Sequence, residues 1–418
     1  MRVLLSSWGS RGDIEPLAAL ALRLRELGAD VRAAVPPDEE FAALFARVGA
    51  DVIGLGPTTR SIAAGLKAPD PAAAFRLAAE LTDARFAVLG EAARDCDAIV
   101  ATGLMPAGAR DVAEHLGIAY VLAIFHIFGL PSAHFTPAAR PGRPSDADET
   151  DNRTLWRNDA DRVNALYLEP LNRGRLALGL PAVASVREQV IPAQPWLAAD
   201  PLLAPWARLT DFDIVQTGAW FLPDSRPLPH EVLAFLDAGE PPVYVGFGSM
   251  AMRSAPDLAQ VALEAARANG RRLILARGWA ELSLPDALVG SGAGGGAGAG
   301  PAADCLVVGE LNHQALFASG RVAAVVHHGG AGTTQAAAAA GAPQVIVPQI
   351  VDQPHWARRV AELGIGAAHE GPVPTAASLS AALAVALSPE VRDRAREVAG
   401  QVVADGAMIA ARRLLSMA

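Results

Sequence analysis

Short apolar runs alternate with longer amphipathic or alanine-rich segments along the first half of the chain. The apolar runs predict strands at 3–6, 31–35, 52–55, 98–101 and 119–124. Helical periodicity, in several cases ended by a glycine, predicts helices at 15–27, 39–48, 71–94, 106–116 and 159–178. Strands that alternate with helices form parallel, doubly wound sheets, so the predicted fold class is α/β.

The second half repeats this alternation, with strands predicted at 243–247, 272–276, 306–308, 323–326 and 344–347. Five prolines between 223 and 242 indicate an interdomain linker. A chain of 418 residues also exceeds one usual hydrophobic core. We therefore predict two domains, 1–220 and 221–390, followed by terminal helices at 391–418. The composition of two segments, 136–152 and the Gly/Ala run at 290–303, predicts that they are loops.

Composition narrows the classes of function. The net charge is −9, which argues against a nucleic-acid partner because such partners usually need a basic face. Only Cys96 and Cys305 are present, which favours a reducing compartment over a disulfide framework. No apolar run reaches the ~20 residues of a membrane span, and no signal-peptide pattern precedes the first strand. We expect a soluble cytoplasmic protein that is a monomer or homodimer.

The segment 327–334 reads His-His-Gly-Gly-Ala-Gly-Thr-Thr and lies between an apolar strand and an alanine-rich helix predicted at 335–340. Glycines let the backbone approach a ligand closely, and a helix N-terminus favours negative charge. The threonine hydroxyls and a histidine ring nitrogen add hydrogen-bond donors. This pattern predicts a phosphate site. The alternative is a glycine-rich turn without a ligand.

Polar residues follow two other predicted strands of the second half. Asp352 and Gln353 come after the strand at 344–347, and Ser249 comes at the end of the strand at 243–247. A carboxylate beside an amide suits recognition of a polyhydroxyl ligand. Ligands of open α/β sheets bind at the carboxyl ends of the strands, where all three residues are expected.

Longer motifs carry a resemblance to a known family. They occupy residues 1–5, 9–16, 194–201, 215–220, 243–249, 277–279 and 327–334. With these motifs the chain resembles family 1 glycosyltransferases of the GT-B fold. More narrowly, it resembles the bacterial enzymes that glycosylate antibiotic aglycones, such as vancomycin-type glycopeptides and aromatic polyketides. The resemblance spans nearly the whole chain and implies two Rossmann-like domains that face each other across a cleft.

The resemblance implies that the C-terminal domain binds a nucleotide-sugar donor. Asp352 and Gln353 match the pair that holds the hydroxyls of the donor sugar. His327 is interpreted as a neighbour that faces the sheet, because His328 matches the histidine that contacts phosphate. The candidates for the diphosphate are Ser249, His328, Gly330, Gly332, Thr333 and Thr334.

The segment that contains Glu310 and Leu311 matches the family's nucleobase pocket. Plant relatives have a tryptophan where Glu310 falls, so this chain departs from the family there. Trp279 is the other candidate for a ring that stacks on the base. Its alternative role is that of a buried core residue.

By the same resemblance the N-terminal domain binds the acceptor and carries the general base. Asp13 matches the proposed base, with a helix N-cap as its alternative role. Ser10 matches a serine near the diphosphate and is otherwise an ordinary turn residue. The apolar, aromatic segment 125–135 and the segment 59–66 are acceptor candidates, although the former is equally typical of a strand end that enters a loop. The acceptor side chains proposed are Phe125, His126, Phe128 and His134.

The implied reaction is an inverting transfer of a hexose or deoxyhexose from a TDP- or UDP-sugar, with TDP favoured, to a natural-product aglycone through oxygen or carbon. No metal is expected, since the Asp-x-Asp patterns at 95–97 and 211–213 do not follow strand ends. The alternatives are a sterol or lipid glucosyltransferase, a nucleotide-sugar 2-epimerase of the same fold, and an inactive partner of another transferase. A dinucleotide dehydrogenase does not fit, because Gly-x-Gly-x-x-Gly is missing after the first strand.

Overall fold

The computed structural model describes residues 1–65, 70–137, 149–206, 212–250, 252–284 and 304–417. The loop predicted at 290–303 and most of the loop predicted at 136–152 lie outside these residues. The chain forms two compact units, one of residues 1–222 with 404–418 and one of residues 223–403.

Thirteen strands and fifteen α-helices are present in the described residues. The strands are β1 (Arg2–Trp8), β2 (Asp30–Val35), β3 (Asp51–Gly54), β4 (Ala98–Gly103), β5 (Ala119–Ile124), β6 (Trp196–Leu197), β7 (Val215–Gln216), β8 (Val243–Val245), β9 (Leu273–Ala276), β10 (Cys305–Val308), β11 (Ala324–His327), β12 (Gln344–Ile346) and β13 (Gly366–Ala368). The helices are α1 (Arg11–Glu26), α2 (Glu39–Arg47), α3 (Thr59–Gly65), α4 (Pro71–Ala92), α5 (Ala109–Leu116), α6 (Asn152–Ala177), α7 (Val186–Val190), α8 (His230–Asp237), α9 (Leu258–Ala268), α10 (His313–Ala318), α11 (Ala331–Ala339), α12 (Gln353–Glu362), α13 (Ala376–Ala386), α14 (Pro389–Ala399) and α15 (Gly406–Leu415).

The first unit is built on a seven-stranded parallel sheet with the order β3-β2-β1-β4-β5-β6-β7. Helices cover both faces of this sheet, which is why its central strands are almost continuously apolar. Leu5 of β1 packs with Ile14 and Leu17 of α1 on one face. Leu4 packs with Leu89 of α4 on the other face.

The second unit has a six-stranded parallel sheet with the order β10-β9-β8-β11-β12-β13. Val245 and Val326 pack with α9 and α13 on one face, while Tyr244 and Val325 pack with α8, α10 and α11 on the other. The strand order reverses between β8 and β11 here, and between β1 and β4 in the first unit. The predicted fold class of two doubly wound α/β sheets is therefore confirmed.

Two helices begin four residues earlier than the periodicity predicts. Helix α1 begins at Arg11 rather than at residue 15, and α11 begins at Ala331 rather than at residue 335. Their first turns contain Gly12 and Gly332, which hide the helical pattern because glycine disfavours helix interiors. In α1 a cap offsets that cost, since the Ser10 N–H donates to the Asp13 carboxylate; in α11 the Thr334 hydroxyl donates to the Gly330 carbonyl across the first turn.

The terminal helices divide between the two units. Helix α14 packs against α11 in the second unit, whereas α15 packs against α1 in the first. The boundary predicted at 390/391 therefore differs from the one observed at 403/404. Gly406 permits the docking of α15, because a Cβ at this position would lie 2.5 Å from the Gly218 backbone.

We predict that Gly406→Ala destabilises the first unit by about 1–3 kcal/mol, because the added methyl must displace backbone rather than a flexible side chain. Urea unfolding followed by circular dichroism measures this change. Gly400→Ala is the matched control, since its Cβ would make only an ordinary 3.6 Å contact with the Glu397 carbonyl. Equal unfolding midpoints for the two variants would contradict the prediction.

Candidate functional site

The loops that follow β8 and β11 lie side by side at the carboxyl edge of the second sheet. The Gly246 N–H donates to the Val326 carbonyl at 3.0 Å, which continues the pairing of the two strands. A Cβ built on Gly248 would lie 3.7 Å from Cε1 of His328. The strand order reverses at this point, where the crevice of a doubly wound sheet receives its ligand. The predicted phosphate residues and Ser249 therefore share one edge.

Helix α11 presents its N-terminus at this edge. The backbone N–H groups of its first turn have no acceptor within the helix and carry partial positive charge. Gly332 is exposed and, apart from its chain neighbours and the backbone of its own helix, no described atom lies within 4 Å of where its Cβ would be. Thr333 is partly exposed, whereas Thr334 is buried and its hydroxyl donates to the Gly330 carbonyl at 2.9 Å. Thr334 thus shapes the turn, and the hydroxyl near solvent is that of Thr333.

The two histidines of the motif differ in their surroundings. His327 is fully buried and both of its ring nitrogens are hydrogen-bonded, to Gly329 and to Gln344. His328 is partly exposed, and its buried Nδ1 has no hydrogen-bond partner among the described residues. Burial lowers the pKa of His327 to about 3 and that of His328 to about 4, against a weaker opposing effect of Asp352 on His328. Both rings are neutral at pH 7, so each has one N–H to donate.

Gly330 is required by the close approach of the His328 ring. A Cβ at this position would lie 2.6 Å from Nε2 of His328. Any other residue would push the ring away from the N-terminus of α11. The glycine therefore keeps an imidazole N–H and the helix amides within one small region.

Asp352 and Gln353 follow β12, as predicted, and begin α12. One carboxylate oxygen of Asp352 accepts from the Trp356 indole at 2.7 Å. The amide oxygen of Gln353 accepts the N–H groups of Gln349 and Ile350, at 2.8 and 3.1 Å. Gln353 is thus buried and holds the preceding turn, a role that sequence reasoning did not predict.

The three candidates for the nucleobase pocket differ in their burial and in their contacts. Leu311 lies in the loop after β10, and its side chain is buried in the core. Glu310 is exposed and forms an ion pair with Arg226 at 3.4 Å. Trp279 is 38% exposed, so the alternative that it is a buried core residue is wrong. Its backbone N–H donates to the Gly248 carbonyl at 2.8 Å, which places it beside the loop that carries Ser249.

In the first unit, Ser10 and Asp13 follow β1 at the strand-order reversal with β4. Ser10 is the N-cap of α1, and its backbone N–H donates to the Asp13 carboxylate at 2.9 Å. Asp13 is therefore the third residue of the helix rather than its N-cap. Gly9 is needed here, because a Cβ at that position would collide with the carboxylate. The carboxylate is partly exposed at the carboxyl edge of the sheet.

The acceptor candidates follow β5 at the same edge of the first sheet. Phe125 packs edge-on against Trp220 at 5.8 Å and borders the core. His126 and Phe128 have ring centroids 6.3 Å apart. His134 is exposed and neighbours Phe135, whose carbonyl accepts from the Trp156 indole at 2.7 Å. The described part of this edge thus carries a row of partly exposed aromatic rings.

The first Asp-x-Asp pattern has a structural role. Asp95 pairs with Arg2 and Arg32, and Asp97 accepts the Arg2 backbone N–H at 2.6 Å. Both lie at the amino end of β4, opposite the edge described above; Asp211 of the second pattern lies outside the described residues. Across the described part of the chain, no three His, Cys, Asp or Glu side chains group so that they could hold a metal ion. Within the same residues no helix combines the length and apolarity needed to cross a membrane.

We predict that the second unit loses stability as the pH falls below about 6.5, the pKa of an unfolded histidine. Burial lowers the folded-state pKa of His327 to about 3 and those of His328 and His355 to about 4, so the unfolded chain binds protons first. The three groups together account for up to about 4 kcal/mol between pH 7.5 and 5.5. Urea unfolding at the two pH values measures this loss. Exposed His230→Asn should keep the full pH dependence, and an unchanged midpoint in the wild-type protein would contradict the prediction.

Comparisons with known proteins include a family profile that matches part of the chain and relatives that match nearly all of it. A family profile described as "Erythromycin biosynthesis protein CIII-like, C-terminal domain" matches residues 308–410. The chain is 51% identical to glycosyltransferase GtfE of Amycolatopsis orientalis over 98% of this chain and 96% of that protein. It is 50% identical to the vancomycin aglycone glucosyltransferase of the same organism, over 99% and 97% of the two chains. It is 46% identical to the dTDP-epi-vancosaminyltransferase, over 95% and 93%.

Solved structures share the fold. The glycotransferase of kitacinnamycin superposes with a TM-score of 0.71 at 21% identity, over 99% of this chain and 98% of that one. Glycosyltransferase VinC in complex with dTDP superposes with a TM-score of 0.65 at 20% identity, over 100% and 99%. These likenesses identify the GT-B fold. Together with the full-length identities, they establish that this chain belongs to the family 1-like glycosyltransferases of antibiotic biosynthesis.

Proposed function

We propose that this glycosyltransferase moves a hexose or deoxyhexose from a TDP-sugar to a hydrophobic natural-product aglycone of the glycopeptide type. The names of the similar proteins support the substrate classes, since one acts on vancomycin aglycone and another on a dTDP-linked sugar. Two buried, unpaired cysteines fit a reducing cytoplasm.

The observation that carries the proposal is the N-terminus of α11 at the strand-order reversal, with the neutral His328 ring beside it. A nucleotide diphosphate gains negative charge as the glycosidic bond breaks. Fixed backbone amides and an imidazole N–H stabilise that charge without reorganising. Thr333 and Ser249 add hydroxyls at the same edge, and no metal ion is required in this scheme.

The donor sugar is assigned to the turn before α12. Asp352 has a second carboxylate oxygen besides the one that accepts from Trp356, and it suits a sugar hydroxyl. Gln353 contributes through its amide nitrogen and through the turn that its oxygen holds. Trp279 is the proposed ring for the thymine base, since Glu310 is engaged with Arg226.

Asp13 is the proposed general base. An acceptor hydroxyl is a poor nucleophile, and a carboxylate that removes its proton in the transition state assists the attack. The N–H of Ser10 orients the carboxylate from one side. Attack from the face opposite the leaving diphosphate inverts the anomeric carbon. Phe125, His126, Phe128 and His134 line the proposed acceptor surface, where aromatic rings suit a cross-linked aromatic aglycone.

The test is product analysis by mass spectrometry. The protein is incubated with TDP-glucose or UDP-glucose and one acceptor at a time: vancomycin aglycone, an aromatic polyketide aglycone or a sterol. We expect a glycosylated glycopeptide, with TDP-glucose the better donor. A sterol product alone would replace the proposal by its lipid alternative, and a new nucleotide sugar formed without acceptor would indicate an epimerase.

We predict that Asp13→Asn lowers turnover by roughly 10²–10⁴-fold while the affinity for TDP stays near wild type. An asparagine oxygen still accepts the Ser10 N–H, so the start of α1 is kept while the base is lost. Asp151→Asn, at the N-cap of α6, is the matched control and should keep full turnover. Undiminished turnover in Asp13→Asn would remove this residue as the base.

We predict that His328→Ala weakens TDP binding by about 2 kcal/mol, the usual contribution of a hydrogen bond to a charged group. Isothermal titration calorimetry with TDP alone measures the change without the reaction. Thr334→Val is the control within the same motif, because its hydroxyl is bonded to the Gly330 carbonyl and its loss should lower stability more than affinity. Equal TDP affinity in His328→Ala and wild type would rule out the phosphate role.

A further inference from the structure

His327 occupies an unusual position for a polar side chain. It is the last residue of β11 and is fully buried, one position before the partly exposed His328. Its Nδ1 accepts the Gly329 N–H at 3.1 Å, and its Nε2 lies 3.0 Å from Oε1 of Gln344 on β12. An accepting Nδ1 leaves the proton of the neutral ring on Nε2, which donates to Gln344. The two hydrogen bonds therefore define one tautomer.

The hydrogen bond from the Gly329 N–H to His327 stabilises a turn in which Gly329 has a left-handed backbone conformation that few residues other than glycine adopt. Gly329 has φ of +88°, and a Cβ there would lie 2.6 Å from the Ile346 side chain. Its N–H is buried, so it needs an acceptor inside the protein. Nδ1 of the His327 ring is that acceptor. The chain then continues through Gly330 into the first turn of α11.

Stability alone does not account for this pair. The Nε2 amide of Gln344 is buried and has no partner among the described residues, so the polar network is only partly satisfied. A partly satisfied buried network is less favourable than apolar packing at the same place. What the pair does supply is the acceptor for the Gly329 N–H, in the turn that leads from β11 to the His328 ring and α11.

We propose that His327, held by Gln344, is a positioning residue that locks the Gly329 turn and thereby presents His328 and the first amides of α11 to the donor diphosphate. The inference rests on the proposed function of this edge, and His327 itself does not touch the ligand. A protonated ring would lose its acceptor nitrogen and release the turn. Burial, which lowers the pKa of His327 to about 3, keeps the ring in its accepting form.

Two substitutions of His327 distinguish the effect of its hydrogen bond to Gly329 from the effect of its packing. In His327→Asn the side-chain oxygen takes the place of Nδ1 and can still accept the Gly329 N–H. In His327→Gln the side-chain amide reaches the place of Nε2 and keeps the contact with Gln344, while the acceptor beside Gly329 is lost. His369→Asn removes another buried imidazole of the same unit, one that bonds Gly371 and Ser378 instead.

Calorimetry with TDP tests the positioning role of His327, and unfolding midpoints measured in parallel show whether each variant is folded. We expect His327→Asn and His369→Asn to bind TDP within about threefold of wild type, and His327→Gln to bind about tenfold more weakly. Equal affinities of the Asn and Gln variants, whether both high or both low, would overturn the positioning role. Wild-type protein that does not bind TDP would instead overturn the proposed function, so the two failures are distinct.

A second variant covers the case in which the His327 variants do not fold. Gln344→Leu leaves the imidazole in place and removes only the acceptor of its Nε2–H. Leucine has nearly the volume of glutamine, and the amide nitrogen that the substitution removes already lacks a partner among the described residues, so the fold should be retained. We expect about tenfold weaker TDP binding, because the buried Nε2–H then lacks its acceptor, and a ring that moves to satisfy it no longer accepts well from Gly329. Wild-type affinity in Gln344→Leu would contradict the inference.

Discussion

The reversal of strand order in the middle of each parallel sheet is the constraint on which the candidate site depends. Crossovers from β8 run in one direction to β9 and β10, and the chain then returns to begin β11 on the other side. Because such crossovers share one handedness, the helices that follow β8 and β11 lie on opposite faces of the sheet. The loops between them leave a crevice at the carboxyl edge. In the second unit that crevice collects Ser249, His328 and the N-terminus of α11.

Buried hydrogen bonds at this edge determine which side-chain groups stay free for the proposed donor. Thr334 bonds its own turn, Gln353 holds the turn that precedes it, and His327 bonds Gly329. Each of these side chains belongs to a motif that the resemblance assigns to ligand binding. Their polar atoms nevertheless form hydrogen bonds within the protein, in whole or in part. The groups left to face solvent are His328, Thr333 and Asp352. The proposed site thus combines a few residues that are free to contact the donor with a similar number that hold the turns around them.

Both units also use a glycine to make room for a neighbouring functional side chain. Gly9 makes room for the carboxylate of Asp13, and Gly330 makes room for the ring of His328. In both places the glycine stands beside a helix N-terminus that follows a strand. A side chain at either position would occupy the space that the functional group needs. The glycines therefore act through steric access, apart from any effect on backbone flexibility.

The sequence alone predicted the alternation of strands and helices, the two α/β sheets and the family, because periodicity and contiguous motifs are local properties of the chain. The family resemblance also led to the interpretation of His327 as the neighbour that faces the sheet, and the structure buries that ring. The sequence pattern placed the starts of α1 and α11 four residues late, because glycines in their first turns obscure the helical pattern, while the cap of α1 and the Thr334–Gly330 bond of α11 depend on geometry. The division of the last two helices between the units, the commitment of Gln353 to its turn and the pairing of His327 with Gln344 were decided only by tertiary structure. The first and the last depend on residues that are distant in sequence and meet only when α14 and α15 pack or when β11 and β12 pair, whereas the Gln353 turn depends on a side-chain direction that residue order does not give.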